Sequence, residues 1–244
     1  VDEVSETTMN PGAEPRISPW GAVLRVLTDP AQTFRSMADK PPVLAPYLVH
    51  MVAGAVFGIL AFRPTMELAL LGQQQALAAM PQGAEMNMEF MTTVTQWTTA
   101  LSLAASALIA PWISGLVISL VATFFGRLQG GGVPLSSYMG MIGYARMPLA
   151  ISTLLTGVFM AITGQTLNLT PAAFLPEGAP PVLVGLLGSL NPLNLWYYVL
   201  LAIGFAALHG REPRKGWPLP VTLFVITTLF TTVSLVMNAA LMSM

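Results

Sequence analysis

One full charge stands inside the long apolar runs of this sequence, Arg146, in the stretch SSYMGMIGYARMPLA over residues 136–150. A cation in hydrocarbon costs about 2.5–3.5 kcal/mol on insertion scales unless it reaches water, a phosphate or a partner. Three kinds of chemistry follow. The guanidinium can snorkel to lipid phosphate and anchor its helix, pair with a carboxylate such as Asp29, Asp39 or Glu212, or serve transport or gating. Ser136 and Gly140, with Gly143 beyond them, give the same helix a small face for close backbone approach. Pro148, two residues past the arginine, releases a carbonyl one turn back and bends the helix.

Other residue types carry weaker chemistry. Met80, Met86, Met88 and Met91 cluster in one segment, and thioethers are soft ligands suited to Cu(I). The chain has 15 Met in all, and Met also fills apolar gaps, so no metal site is assigned. Asn191 and Asn194, with Gln96, Thr92, Thr93, Thr95, Thr98 and Thr99, lie near span ends and could line a substrate path. Asn191 before Pro192 equally caps a helix. His50 and His209, the two histidines of the chain, have no second His or carboxylate at ligand spacing, which argues against zinc. No G-x-S-x-G, H-E-x-x-H or Walker sequence occurs, and no buried acid pair offers general acid–base chemistry. An enzyme is not expected, and no cofactor is implied.

The elements that must position these residues are membrane spans. Hydrophobic residues make up 54% of the chain and charged ones 9%, against roughly 25% charge in a soluble domain. A net charge of −1 gives no electrostatic case for nucleic acid. With no cysteine there are no disulfides or thiolate metal sites. Five runs are long enough to cross about 30 Å of hydrocarbon: 43–62, 100–125, 138–163, 182–208 and 219–241. The fold expected is all-α, a five-helix transmembrane domain over 43–244. Gly54 and Gly58 form a G-x-x-x-G face in the first run. Pro111 interrupts the second, and Asn191-Pro192-Leu193-Asn194 makes the fourth either two helices or one kinked span. If the third run begins near Tyr138, Arg146 lies about 12 Å deep at 1.5 Å per residue.

Residues 1–17 are acidic and poor in apolar side chains, so a disordered tail is expected. The leader reads as part of the working protein, without a cleaved signal pattern. Over 18–42, Ser18 and Asp29 are placed to cap short helices opened by Pro19 and Pro30. Trp20 and Phe34 mark an apolar face, and Arg25, Arg35 and Lys40 a cationic rim. This suits helices lying in the headgroup zone, or equally a hairpin packed on the rest of the protein. The basic residues Arg16, Arg25, Arg35, Lys40, Arg127, Arg211, Arg214 and Lys215 all fall on one side, which places the N-terminus in the cytoplasm and the C-terminus outside. Residues 64–96 form a long outer segment with a helical pattern before Pro81. Residues 164–181 form a Pro-rich outer loop, and Gly130-Gly131-Gly132 a flexible inner one. No internal repeat is found, which gives no support to an inverted-repeat transporter.

The leader pattern Trp20…Asp29-Pro30-Ala-Gln-Thr-Phe34…Pro41-Pro42, the run leading through Ser136-Ser137-Tyr138, Gly143-Tyr144-Ala145…Pro148 and Leu190-Asn-Pro-Leu-Asn-Leu-Trp196…Gly204 together resemble the bacterial Yip1-domain proteins. The resemblance runs from Trp20 to the C-terminus. It implies a multi-pass protein of the bacterial inner membrane whose eukaryotic relatives assist vesicle traffic and bind Rab-type GTPases, a role that does not carry over to bacteria. Some bacterial relatives look like accessories to ABC-type exporters. The reading is a non-catalytic scaffold or adaptor whose partners are membrane lipids, other integral membrane proteins or further copies of itself, with no nucleic acid. Lipid or partner contact is expected of Trp20, Arg25, Phe34, Arg35, Lys40, Arg211, Arg214 and Lys215, and helix packing of Gly54, Gly58, Ser136, Gly140 and Gly143. The alternative is a small transporter or channel using Arg146 and the Asn191–Asn194 break; a weaker one is copper binding by the methionines.

Overall fold

A computed structural model describes residues 17–78 and 88–242. The expected acidic tail lies outside them except for Ile17. Two short helices come first, each with the cap its sequence offers. Ser18 Oγ accepts from Gly21 N–H at 3.1 Å and opens α1, Pro19–Thr28. Asp29 ends α1 and opens α2, Pro30–Ser36, by accepting from Gln32 N–H at 3.2 Å. Both helices bury one face on the body of the protein, through Ala22, Val26, Thr33 and Phe34. The leader is thus a packed hairpin with an exposed rim.

The next helix, α3 (Leu44–Ala78), has 35 residues and is about 52 Å long at 1.5 Å per residue. It therefore extends well past the expected first run, through Pro64 and beyond a bilayer's hydrocarbon. The expected second run is divided. Helix α4 (Met88–Leu108) ends at Ile109, and α5 (Ala110–Leu128) begins there. Pro111 is the cause: it has no N–H to donate, and its ring crowds the carbonyl one turn back. The third run is α6 (Leu135–Ala145) followed by α7 (Met147–Thr163), bent by 42° at Arg146. Gly164, at φ 70°, closes α7 with a left-handed cap, a conformation glycine adopts without steric cost. The fourth is α8 (Pro181–Gly188) and α9 (Pro192–Leu208), bent by 53°. Asn191 Oδ1 caps α9, accepting from Leu193 N–H at 2.9 Å and Asn194 N–H at 3.4 Å. Helix α10 (Pro218–Met242) ends the described chain.

Three helical segments are long and apolar enough to cross a membrane alone, Leu44–Gln75, Ala110–Leu128 and Pro213–Leu241. Counting each bent pair as one crossing raises the number to five. The core gathers around α6 and α9 with the leader. Of the 11 residues of α6, eight are buried, Tyr138, Met141, Ile142 and Tyr144 among them. Helices α1, α3, α5 and α9 pack around α6. Tyr144 donates to the Pro19 carbonyl at 2.9 Å, tying α6 to the leader. The approach is close enough to require glycine: a Cβ on Gly140 would stand 2.5 Å from the Pro41 carbonyl oxygen.

Candidate functional site

Arg146 sits in the one-residue joint between α6 and α7, its N–H donating to the Ile142 carbonyl at 3.1 Å and its carbonyl accepting from Leu149 N–H at 2.8 Å. Its side chain crosses to the other broken run. Nη1 donates to the Pro111 carbonyl at 3.1 Å and to Ser114 Oγ at 2.8 Å. The guanidinium therefore bridges the two helix breaks. Among the described residues no carboxylate pairs with it, so the sequence-based candidates Asp29, Asp39 and Glu212 do not neutralise it. The ion pair Arg63–Glu67, at 2.9 Å, is exposed on α3. Such a pair contributes about 0–1 kcal/mol.

Beside Arg146 lies a cleft of about 510 Å³. Helix α3 forms its floor and packs on both α4 and α7, which form the walls. His50 and Phe57 lie on the floor, Ser106 on one wall, and Ser152, Thr153 and Thr156 on the other. His50 is 8% exposed and its Nε2 has no hydrogen-bond partner. Neither Asn191 nor Asn194 lines the cleft. Their break is a capped helix start, so the structure does not join the two features that a substrate path would use.

The remaining sequence-predicted residues divide sharply. Gly54 meets the Ala107 backbone, a Cβ there standing 2.9 Å from Ala107 Cα, and Gly58 faces Leu103. Their G-x-x-x-G face forms the α3–α4 seam within the chain. Gly140 and Gly143 accept Pro41 and Pro46. Ser136 is exposed and the neighbouring Ser137 is buried, so of the expected small face Gly140 and Gly143 pack and Ser136 does not. Phe34, expected at lipid or a partner, is 3% exposed and belongs to the core. Trp20 is 58% exposed and heads an apolar groove with Leu24, Val52 and Leu154. Arg25, Arg35, Lys40, Arg211, Arg214 and Lys215 are exposed. Met80 and Met86 lie outside the described residues, while Met88 and Met91 begin α4.

The basic residues gather where the leader meets the ends of α5 and α9. Arg35 and Arg211 line one hollow with Glu212. Arg211 donates to the Gln129 carbonyl at 2.7 Å and to the Gln129 side chain. Arg127 lies in the last turn of α5.

Comparison with known proteins settles the family, for the Yip1 domain matches residues 24–235. The chain belongs to the Yip1-domain family. It is also similar to the membrane protein YknW of Bacillus subtilis (strain 168), at 23% identity over 216 residues, covering 88% of this chain and 90% of the relative. No solved structure matches. The Yip1-domain match takes in the last part of α1, all of α2 to α9 and most of α10. The capped Asp29-Pro30 turn, the α6 core and the Asn191 cap all fall within it.

Sequence reading missed one polar link of this Yip1-domain protein. Tyr138 Oη lies 2.9 Å from His209 Nε2, one residue past the end of α9. Gly131 leaves room for the imidazole, since a Cβ there would stand 2.4 Å from it. The signal was present as glycines beside a helix end, but the pairing spans 71 residues and no local pattern marks it. Burial first, and the Arg211 charge second, hold His209 below the usual imidazole value of 6.5. The folded state therefore prefers the neutral ring. The resulting stability is fully present above the unfolded value and is lost as pH falls through it toward the lower folded value. His209→Gln is expected to flatten that part of the profile of thermal midpoint against pH between about 7.5 and 5. A variant profile parallel to the wild type over this range removes His209 from the account.

Proposed function

We propose that this Yip1-domain protein is a non-catalytic scaffold or adaptor of a bacterial inner membrane, organising partner membrane proteins or lipids. In this reading the leader and the basic loops face the cytoplasm and the C-terminus lies outside. The supporting observation is the gathering of basic residues: Arg35 of the leader and Arg211 after α9 line one hollow, and Arg127 lies in the last turn of α5. Lysine and arginine flanking membrane spans mark the cytoplasmic side, and each near the surface attracts anionic lipid by roughly 1 kcal/mol. The apolar groove of about 480 Å³ headed by Trp20, between α1, α3 and α7, adds a lateral surface for a lipid chain or a neighbouring span. An accessory role beside an ABC-type exporter is one form of this activity.

Two measurements test the reading. Fusions of a cytoplasm-dependent fluorescent reporter are expected to report at the N-terminus and stay dark at the C-terminus. The purified chain, reconstituted alone in liposomes, is expected to leave ion and small-solute permeability unchanged. Solute flux that disappears with Arg146→Gln would replace the adaptor by the transporter reading. Both ends in one compartment would remove the orientation.

A further inference from the structure

We propose that the cleft beside Arg146 binds an anionic amphiphile. Its phosphate or carboxylate head would lie against Arg146, and its chain along the wall that α7 gives the cleft. This site is separate from the basic end and does not depend on the adaptor reading.

Three observations carry it. The first is charge: both hydrogen bonds from Arg146 leave through Nη1 to neutral oxygens, so the positive charge has no counter-ion among the described residues. Such a cation away from water normally finds one. The second is the donors left over: Nε and Nη2 of Arg146, beside the same cleft, make no hydrogen bond among the described residues. An oxyanion that accepts from them gains charge-assisted hydrogen bonds, roughly twice as strong as neutral ones. The third is the cleft itself. Its volume of about 510 Å³ falls within the ordinary range of ligand sites, about 300–1,000 Å³. Its lining joins Ser106, Ser152, Thr153 and Thr156 to Phe57, Leu103 and Leu149, polar and apolar together, as an ester-linked chain requires.

The route of access favours an amphiphile over a soluble anion. Next in sequence to the lining residues Ala110 and Ser114, Ile109 and Ile113 are 53% and 58% exposed, so the segment that borders the cleft presents an apolar surface. Arg146 stands about 16 Å along α6 from the start of that helix. A head there is drawn below the usual headgroup level, where Arg146 and the hydroxyls replace the water it gives up.

The full chain in detergent, titrated with phosphatidic acid, oleate, phosphatidylcholine and inorganic phosphate and followed by native mass spectrometry, tests this. Phosphatidic acid and oleate are expected to bind at least about tenfold more tightly than phosphatidylcholine, as a charge-assisted hydrogen bond implies. Inorganic phosphate is expected to compete poorly. Arg146→Gln should remove the preference. Thr156→Leu, which narrows the cleft and leaves the bonds to Pro111 and Ser114, should weaken binding similarly and keeps the test alive if Arg146→Gln does not fold. Unchanged preference in Thr156→Leu, or loss only on changing Arg211 and Lys215, overturns the site. Phosphate binding as tightly as the lipids makes the ligand a soluble anion and overturns the amphiphile. Absence of lipid preference, with a co-purifying membrane protein released by Arg146→Gln, assigns the cation to a partner's carboxylate and overturns it equally.

Discussion

Gly216→Ala is expected to lose about 3 kcal/mol of stability or more, roughly 6–12 °C in thermal midpoint in detergent. Gly216 is buried in the turn between α9 and α10, where a Cβ would stand 1.9 Å from the Ala202 carbonyl oxygen and 2.8 Å from its carbon. That oxygen belongs to the interior of α9, so it cannot rotate away as a side chain would. The turn must retreat instead, taking with it Leu219, which is fully buried. Gly140→Ala presses on the Pro41 carbonyl in the same manner. Gly72→Ala is the control: nothing lies within 4 Å, and the change should gain up to about 1 kcal/mol of helix propensity. Equal midpoints for Gly216→Ala and Gly72→Ala would show that the α9–α10 turn does not pack as described.

Phe34→Ala is expected to cost about 3–5 kcal/mol, the usual range for emptying a buried aromatic site. The ring sits 3% exposed between α2 and α9, close to where a Cβ on Gly204 would meet it at 3.1 Å. Trp20→Ala, at a residue 58% exposed, should change the midpoint far less. The contrast separates a leader docked into the bundle from one resting in the headgroup layer, because the second arrangement would make Trp20 and Phe34 equivalent. Circular dichroism melts of the two variants in one detergent decide it. A neutral Phe34→Ala places the leader on lipid.

The apolar runs made a helical membrane protein legible, since length and hydropathy respond to the bilayer directly. The caps were legible too: Ser18, Asp29 and Asn191 act on backbone two or three residues away, within reach of local pattern. What lay beyond it was the identity of each partner surface. An amphipathic leader announces a buried face without saying whether lipid or protein covers it, so the sequence leaves Phe34 to lipid or a partner where the structure puts it in the core. Gly54 and Gly58 announced a contact, but their partner is α4 of the same chain. Ser136 and Ser137 differ by one residue and about 100° around a helix, a register set by tertiary packing. Arg146 was marked by its charge, whereas Pro111 and Ser114 lie 35 and 32 residues away and bind it through ordinary groups that carry no sequence signal.

The joints at Ile109 and Arg146 stand side by side and share one guanidinium. Tied through Nη1 to the Pro111 carbonyl and the Ser114 hydroxyl, the start of α5 and the α6–α7 joint share one fixed point. A tilt at the start of α5 is therefore felt at Arg146 through this single side chain.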